Sequence, residues 1–250
     1  MKKQIILFAL TLMVLTVSAQ TKTIQRQPKS PQQTSKSTTE SKSSTKSKPA
    51  TKPASAPLCP DKNHPHMIDL GLPSGTKWAC CNVGANKPEI SGDYYGWGET
   101  ETKPKYDWST YKHCDGTEET CHDLGKNISG TDHDVAHVKW GGSWVTPTLL
   151  QIQELLDNCK YVWTTINGTK GGKFTSKKTG KSIFFPATGN RWDGDLYYAN
   201  ICAYYWAATP LSAIPEYSKY AGFLFFEPGE ANWANNGARA GGFTIRPVAP

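Results

Sequence analysis

One stretch of the chain places apolar residues at the spacing of an amphipathic helix. Amides and acids separate these positions, which are Leu149, Ile152, Leu155, Leu156 and Cys159. The pattern predicts a helix that packs one apolar stripe against a core. Thr146 is a suitable N-cap and Pro147 a suitable first helical residue. With that start, neither Glu nor Gln stands at the third helical position, so no capping box is expected.

Short aromatic runs separated by Gly and Pro predict the strands. The Thr179-Gly180 pair lies between two of these runs and predicts a hairpin turn. Combined with the helix, the runs indicate an α+β fold rich in irregular loops. The predicted strands are 78–83, 93–97, 173–175, 182–185, 204–207, 222–226 and 242–246.

The first residues have the pattern of a secretory signal peptide. Lys2 and Lys3 precede an apolar run that starts at Ile5, and Val17-Ser18-Ala19 offers a small-residue cleavage site. The run is shorter than the about 20 residues that a membrane-spanning helix needs. We therefore expect residues 1–19 to be removed on export. The mature protein would then be secreted, periplasmic or at the cell surface, without an integral membrane span.

Residues 20–57 are rich in Ser, Thr, Lys and Pro and contain no aromatic residue. Such a segment buries too little apolar surface to fold, which predicts a disordered stalk. The leader and this linker supply +9 of charge to a chain of +7, so residues 58–250 carry −2. This remaining segment is long enough for one domain with a substantial core. Its mildly acidic composition argues against nucleic acid as a partner.

Several sequence blocks, among them Gly92-Asp-Tyr-Tyr-Gly-Trp-Gly-Glu99 and Trp140-Gly-Gly-Ser-Trp-Val-Thr-Pro-Thr148, identify a family resemblance. In order along nearly all of residues 66–250, they resemble the Fibrobacter succinogenes major paralogous domain family. This family is widespread in secreted and surface proteins of Bacteroidetes-type bacteria. The blocks are 69–85, 92–99, 106–111, 140–148, 154–159, 182–187, 205–210 and 245–248.

The resemblance implies a C-type-lectin-like domain over residues 58–250, distantly related to the formylglycine-generating enzymes. Such a domain has a small twisted antiparallel sheet, few helices and long irregular loops, here preceded by the disordered stalk. The formylglycine-generating enzymes use a close pair of cysteines in the C-terminal half. Only Cys202 stands in that region, so their activity is not carried over. Because one fold hosts many functions, no enzymatic activity is expected from the resemblance alone.

The chain contains seven cysteines, an odd number that leaves at least one outside any intrachain disulfide. Cys114 and Cys121 flank a polar, hairpin-like loop, and the resembled family often carries a cysteine pair at this place. Export permits disulfides. We therefore expect Cys114 and Cys121 to form a local disulfide.

Two patterns imitate metal sites, and neither is complete. His113, Cys114, Cys121 and His122 could hold zinc at the mouth of their loop, but the spacing is wide and a disulfide competes for both thiols. The segment 133–137 imitates the zinc-protease motif with Asp in place of Glu, and the resemblance places it in a connecting loop.

Calcium is a third alternative. Asp193 and Asp195 offer carboxylate oxygens, but the remaining ligands of an EF-hand loop are missing. We therefore expect neither metal nor other cofactor. An enzyme with a metal-assisted site around His113, His122 and His133, completed by His137, remains the alternative.

Two polar segments near the C-terminus, 229–242 and 191–198, are predicted to be loops that carry a recognition site. Rings stack on sugar faces, while amides and Arg bind hydroxyls and carboxylates. In C-type-lectin-like domains, C-terminal loops and strands form the ligand face. The alternative is that Trp233 packs and the asparagines satisfy loop backbone. The predicted ligand-binding residues are Trp192, Asp193, Asp195, Tyr197, Asn232, Trp233, Asn235, Asn236 and Arg239.

The favoured hypothesis is an exported, non-catalytic binding or adhesion module on a flexible stalk, which recognises a glycan or a protein. The alternatives are the metal-assisted enzyme and a structural component of a surface assembly.

Overall fold

The computed structural model describes residues 65–211 and 218–250. The predicted signal peptide, the predicted linker and Cys59 lie outside the described residues. Within them, two α-helices accompany several small antiparallel sheets, so the α+β class is confirmed, with strands predominating. None of these helices is long and apolar enough to cross a membrane.

The strands form four small sheets rather than one. Their orders are β1-β2-β11, β3-β4-β5, β10-β9-β8 and β6-β7, with every neighbouring pair antiparallel. The helices are α1 (Val135–Trp140) and α2 (Leu149–Asn158), and a short 3-10 helix spans Glu118–Thr120. The strands are β1 (Met67–Ile68), β2 (Lys77–Ala79), β3 (Cys159–Ile166), β4 (Thr169–Ser176), β5 (Ser182–Pro186), β6 (Asn190–Trp192), β7 (Asp195–Tyr197), β8 (Ala203–Pro210), β9 (Tyr220–Glu227), β10 (Glu230–Ala238) and β11 (Val248–Ala249).

The predicted hairpin turn at Thr179-Gly180 is confirmed and connects β4 to β5. The predictions for three other aromatic runs are wrong. The run 78–83 is a strand only as far as Ala79, and 93–97 and 242–246 meet as an isolated bridge between Tyr95 and Phe243. Gly96 interrupts the first of these two runs, and the backbones of both runs pair with several different segments instead of one partner strand.

Aromatic side chains fill the main core between α2 and the two sheets β3-β4-β5 and β10-β9-β8. Ile152 and Leu155 of α2 are buried there as the periodicity predicts, together with Phe174, Phe185 and Phe226. Gly172 is required because a Cβ at this position would lie 2.7 Å from the Tyr161 ring. A second core cluster is centred on Trp206 and Phe243, whose rings stack 4.0 Å apart.

The start of α2 differs from the sequence-based expectation. Thr148 is the N-cap, and it forms a capping box with Gln151, whose side-chain Oε1 accepts the Thr148 N–H at 2.9 Å. The prediction of Thr146 as N-cap without a capping box is therefore wrong by two residues. Thr146 is unavailable because its backbone N–H and its hydroxyl both donate to the carboxylate of Asp134.

Asp134 is a fully buried carboxylate that joins three segments of backbone. It accepts hydrogen bonds from Gly130, Ala136 and Thr146, and it N-caps α1. The expectation that 133–137 is a connecting loop is therefore wrong, since Asp134 begins a helix. Asp134 stands where the protease motif has its Glu base, but here the carboxylate caps a helix. It is buried and accepts hydrogen bonds from its neighbours.

We predict that Asp134→Asn lowers the free energy of unfolding by about 3 kcal/mol, because an amide presents N–H groups where the carboxylate accepts several bonds. Chemical denaturation at pH 7 measures this change. Asp132→Asn, two residues away and exposed, is the matched control and should be near neutral. Equal stability of the two variants would contradict the role assigned to Asp134.

Candidate functional site

The segment predicted as a loop at 191–198 is a β-hairpin. Strands β6 and β7 pair in register from Asn190–Tyr197 to Trp192–Asp195, with Asp193 and Gly194 forming the turn. Asp193 adopts a left-handed φ of 55°, which Asp tolerates better than most residues. Four of the predicted site residues (Trp192, Asp193, Asp195 and Tyr197) therefore lie on one hairpin.

Backbone bridges attach this hairpin to the domain on two sides. Tyr106 and Asp193 exchange a pair of N–H to carbonyl hydrogen bonds at 2.7 and 2.9 Å, and Arg191 and Gly242 exchange another at 2.8 and 2.9 Å. These bridges restrict the hairpin far more than a simple two-stranded ribbon would be restricted, since isolated ribbons are only marginally stable.

A small aromatic cluster forms the base of the hairpin. Trp192 meets Trp108 edge to face, with ring centroids 6.3 Å apart, and both pack against a cluster that contains buried Tyr111. The same cluster contains Cys114 and Cys121, which form the predicted disulfide with an S–S distance of 1.99 Å. The disulfide loop therefore supports the base of the hairpin, which links this covalent constraint to the position of Trp192.

The hairpin and the turn after it expose a group of apolar and aromatic side chains, here called the hairpin surface. Its members are Leu196, Tyr197, Tyr198 and Ile201, each between 41% and 58% exposed. The rings of Tyr197 and Tyr198 lie 6.3 Å apart. Contiguous exposed apolar side chains of this kind mark interaction sites more often than isolated ones do.

The backbone beneath this surface is strained. Tyr198 and Asn200 have left-handed φ values of 59° and 62°, an arrangement that costs about 1–3 kcal/mol per residue and clusters at ligand-binding segments. Gly189, which also has positive φ, allows the close approach: a Cβ there would lie 2.0 Å from the Tyr197 carbonyl oxygen. The turn is therefore held tightly in a conformation that displays its side chains outward.

Charged groups border the hairpin surface on one side. Lys105 contacts Asp107 at 2.7 Å and Asp193 at 3.1 Å, and these two carboxylates raise the pKa of the Lys105 ammonium. Asp195 is exposed and accepts only a long hydrogen bond from the Tyr197 hydroxyl. The Asp193 carboxylate is thus paired with Lys105. The described residues contain no group of three His, Cys, Asp or Glu side chains able to hold a metal ion.

The second segment predicted as a loop, 229–242, is mostly the edge strand β10. Asn232, Trp233 and Asn236 are exposed on it, and Asn235 is partly exposed. Trp233 donates its indole N–H to Gln153 of α2, and Asn232 donates to Glu230. Among the described residues, no hydrogen bond joins these side chains to the hairpin, so the two predicted loops form separate surfaces.

Arg239 lies inside the protein, which corrects the expectation that it contacts a ligand. Its guanidinium lies 4.4 Å from the Trp97 ring centroid and donates to the Tyr111 hydroxyl and to the backbone carbonyls of His122 and Ser218. Arg239 therefore supports the disulfide loop and, through it, the base of the hairpin.

Among the described residues, the histidines of the metal-assisted alternative do not gather into a ligand set. The rings of His113 and His133 meet edge to face at 4.9 Å, and His133 lines a cavity of about 10 Å³, close to the space of one water molecule. His122 contacts Asp115 at 3.1 Å. Both thiols of the zinc alternative are consumed by the disulfide.

Comparisons of this chain with protein-family models, curated proteins and solved structures return no match.

Sequence reasoning missed four members of the site. Leu196, Tyr198 and Ile201 belong to the hairpin surface, and Trp108 belongs to its base. The sequence shows apolar residues beside the Asp193-Gly194-Asp195 turn. It does not show that they are exposed, because apolar side chains near a turn can be either buried or exposed.

We predict that replacing Cys114 and Cys121 by Ala lowers the free energy of unfolding by about 2–3 kcal/mol, the value expected for a short closed loop. Denaturation curves measure the loss. In the unaltered protein treated with an alkylating reagent, the tryptic peptide 113–126 should carry two unalkylated cysteines. After prior reduction, both cysteines should be alkylated. Alkylation of both without reductant would contradict the assignment.

We predict that His113 makes the domain less stable in mild acid. Burial lowers the pKa of its imidazole, whereas the unfolded chain takes up this proton near pH 6.5. The unfolded state therefore binds more protons, and the unfolding free energy should fall as pH drops from about 7.5 to 5.5. His113→Gln should flatten this fall, measured by denaturation across that range. The exposed His122→Gln control should retain it; equal slopes in both variants would contradict the prediction.

Proposed function

We propose that this protein is an exported, non-catalytic binding or adhesion module, whose hairpin surface recognises a glycan or a protein. The proposal includes the family resemblance: a Fibrobacter succinogenes major paralogous domain with a C-type-lectin-like fold, secreted or at the cell surface. The small antiparallel sheets, the few helices and the long connecting segments are compatible with that fold.

One observation carries the functional proposal. Four apolar or aromatic side chains are exposed on β7 and on the strained turn that follows it, and the hairpin that contains β7 is bridged to two other segments of the domain. Proteins rarely retain strain and exposed apolar area together unless the segment binds something. Preorganisation of this kind lowers the entropy cost of binding, because the turn already has its bound shape.

The chemistry of the hairpin favours recognition over catalysis. Tyr197 and Tyr198 supply aromatic faces and hydroxyls, which suit both sugar stacking and protein contacts. Asp195 offers an exposed carboxylate for a hydroxyl or a cation of the ligand. Asp193 is held by Lys105. These groups contribute contact area and hydrogen bonds.

We predict that Tyr197→Ser combined with Ile201→Ser reduces binding at least tenfold, or about 1.4 kcal/mol, to whichever probe an array of glycans and extracellular host proteins identifies. The exposed side chains contribute little to folding, so thermal stability should stay within a few degrees. Val162→Ser, which alters an equally exposed apolar residue on β3, is the matched control. Undiminished binding by the double variant would place the site elsewhere.

A further inference from the structure

The edge strand β10 offers an unpartnered row of backbone groups. It is nine residues long and pairs only with β9. The two-residue turn at Pro228-Gly229 makes Glu227 and Glu230 a hydrogen-bonded pair. The N–H and C=O groups of Ala231 and Trp233 consequently point away from β9. Among the described residues they have no hydrogen-bond partner.

The usual protections of an edge strand are missing from the first half of β10. Natural edge strands are blocked by Lys, Pro or inward-pointing charges, whereas residues 231–238 contain none of these. A bulge lies at the far end, between Ala234 and Gly237. Residues 231–234 are therefore regular, uncharged and open, and the charge of the strand is confined to Glu230 at its start. The edge strand β3 differs because it carries Lys160 near its start.

Helix α2 extends this open edge with an apolar side chain. The helix packs across β8, β9 and β10, and its Gln153 accepts the indole N–H of Trp233. Leu150 lies one turn before Gln153 on the same flank. At 81% exposure it is the most exposed large apolar side chain of the described residues. Strand edge and helix flank therefore form one continuous surface.

We propose that β10 pairs with β10 of a second copy of this chain, forming an antiparallel, two-fold symmetric dimer. The regular part of the strand is self-complementary when Asn232 lies opposite its own counterpart, because the outward-pointing groups of Ala231 then face those of Trp233 in the other copy. In this register Glu230 faces Ala234 of the other strand, so no like charges meet.

The same symmetry brings the two α2 flanks together on one face of a six-stranded sheet. Leu150, which has no partner in a single copy, then becomes covered. A foreign peptide would satisfy the strand edge but would leave Leu150 exposed, so a second copy is the better fit. A reversible dimer of this kind dissociates on dilution, so its formation depends on the protein concentration.

Sedimentation velocity of the full chain over a wide concentration range tests this inference. The expected result is a reversible monomer–dimer equilibrium, weakened at least tenfold by Trp233→Lys and by Leu150→Lys. Leu150 is exposed, so its variant decides the question if the Trp233 variant fails to fold. Val162→Lys places a charge on the β3 edge and should dimerise normally. A monomer at every concentration, or dimerisation lost only in the Val162 variant, overturns the proposal.

Cross-linking tests the register directly. Non-hydrogen-bonded pairs across antiparallel strands have Cα atoms about 4.5 Å apart, within disulfide range. Asn232→Cys should therefore yield a covalent dimer on oxidation, whereas Val162→Cys should not. Equal cross-linking of both variants contradicts the register. Tyr197→Ser with Ile201→Ser should dimerise normally while losing ligand binding, so the two proposals fail independently.

Discussion

The fully buried guanidinium of Arg246 is the interaction on which the arrangement of the domain depends. It donates to Asn82 Oδ1 at 2.6 Å, to the carbonyls of Ala79 and Cys80, and to the Phe184 carbonyl, and it lies 4.5 Å from the Phe185 ring centroid. Burial lowers the pKa of this guanidinium, yet arginine remains charged. Desolvating it costs several kcal/mol, which the carbonyl acceptors offset. Lysine cannot reach several acceptors in one plane.

Buried polar side chains take the place of regular secondary structure in the loop-rich parts of this domain. Asp134 collects backbone donors in the way that Arg246 collects carbonyls, and Arg239 does the same beneath the disulfide loop. Irregular backbone can be buried only when its polar groups find partners. Each of these residues therefore permits a tightly packed loop, and the Arg239 network holds the base that positions the hairpin.

Two exposed surfaces lie on this scaffold, and each suits a different kind of partner. The hairpin surface is small, aromatic and rigid, which fits recognition of a ligand. The β10 edge is an extended backbone template with Trp233 and the neighbouring Leu150, which fits a second copy of the chain. A dimer would present two hairpin surfaces at once, and bivalent presentation strengthens attachment to a repetitive ligand without any new contact.

Local patterns in the sequence were sufficient for the α+β class, the apolar stripe of α2 and the turn at Thr179-Gly180, because each depends on neighbours along the chain. The Cys114–Cys121 disulfide was predicted from the loop that the cysteines flank together with the family resemblance and the expected export. Tertiary structure decided the rest. Thr146 donates its hydroxyl to Asp134, and Thr148 is therefore the residue that caps α2. Pairing with β9 turned a polar segment into a strand, and distant carbonyls took Arg239 into the interior. Exposure and buried polar pairing are set by residues far apart in sequence, and periodicity carries no information about them.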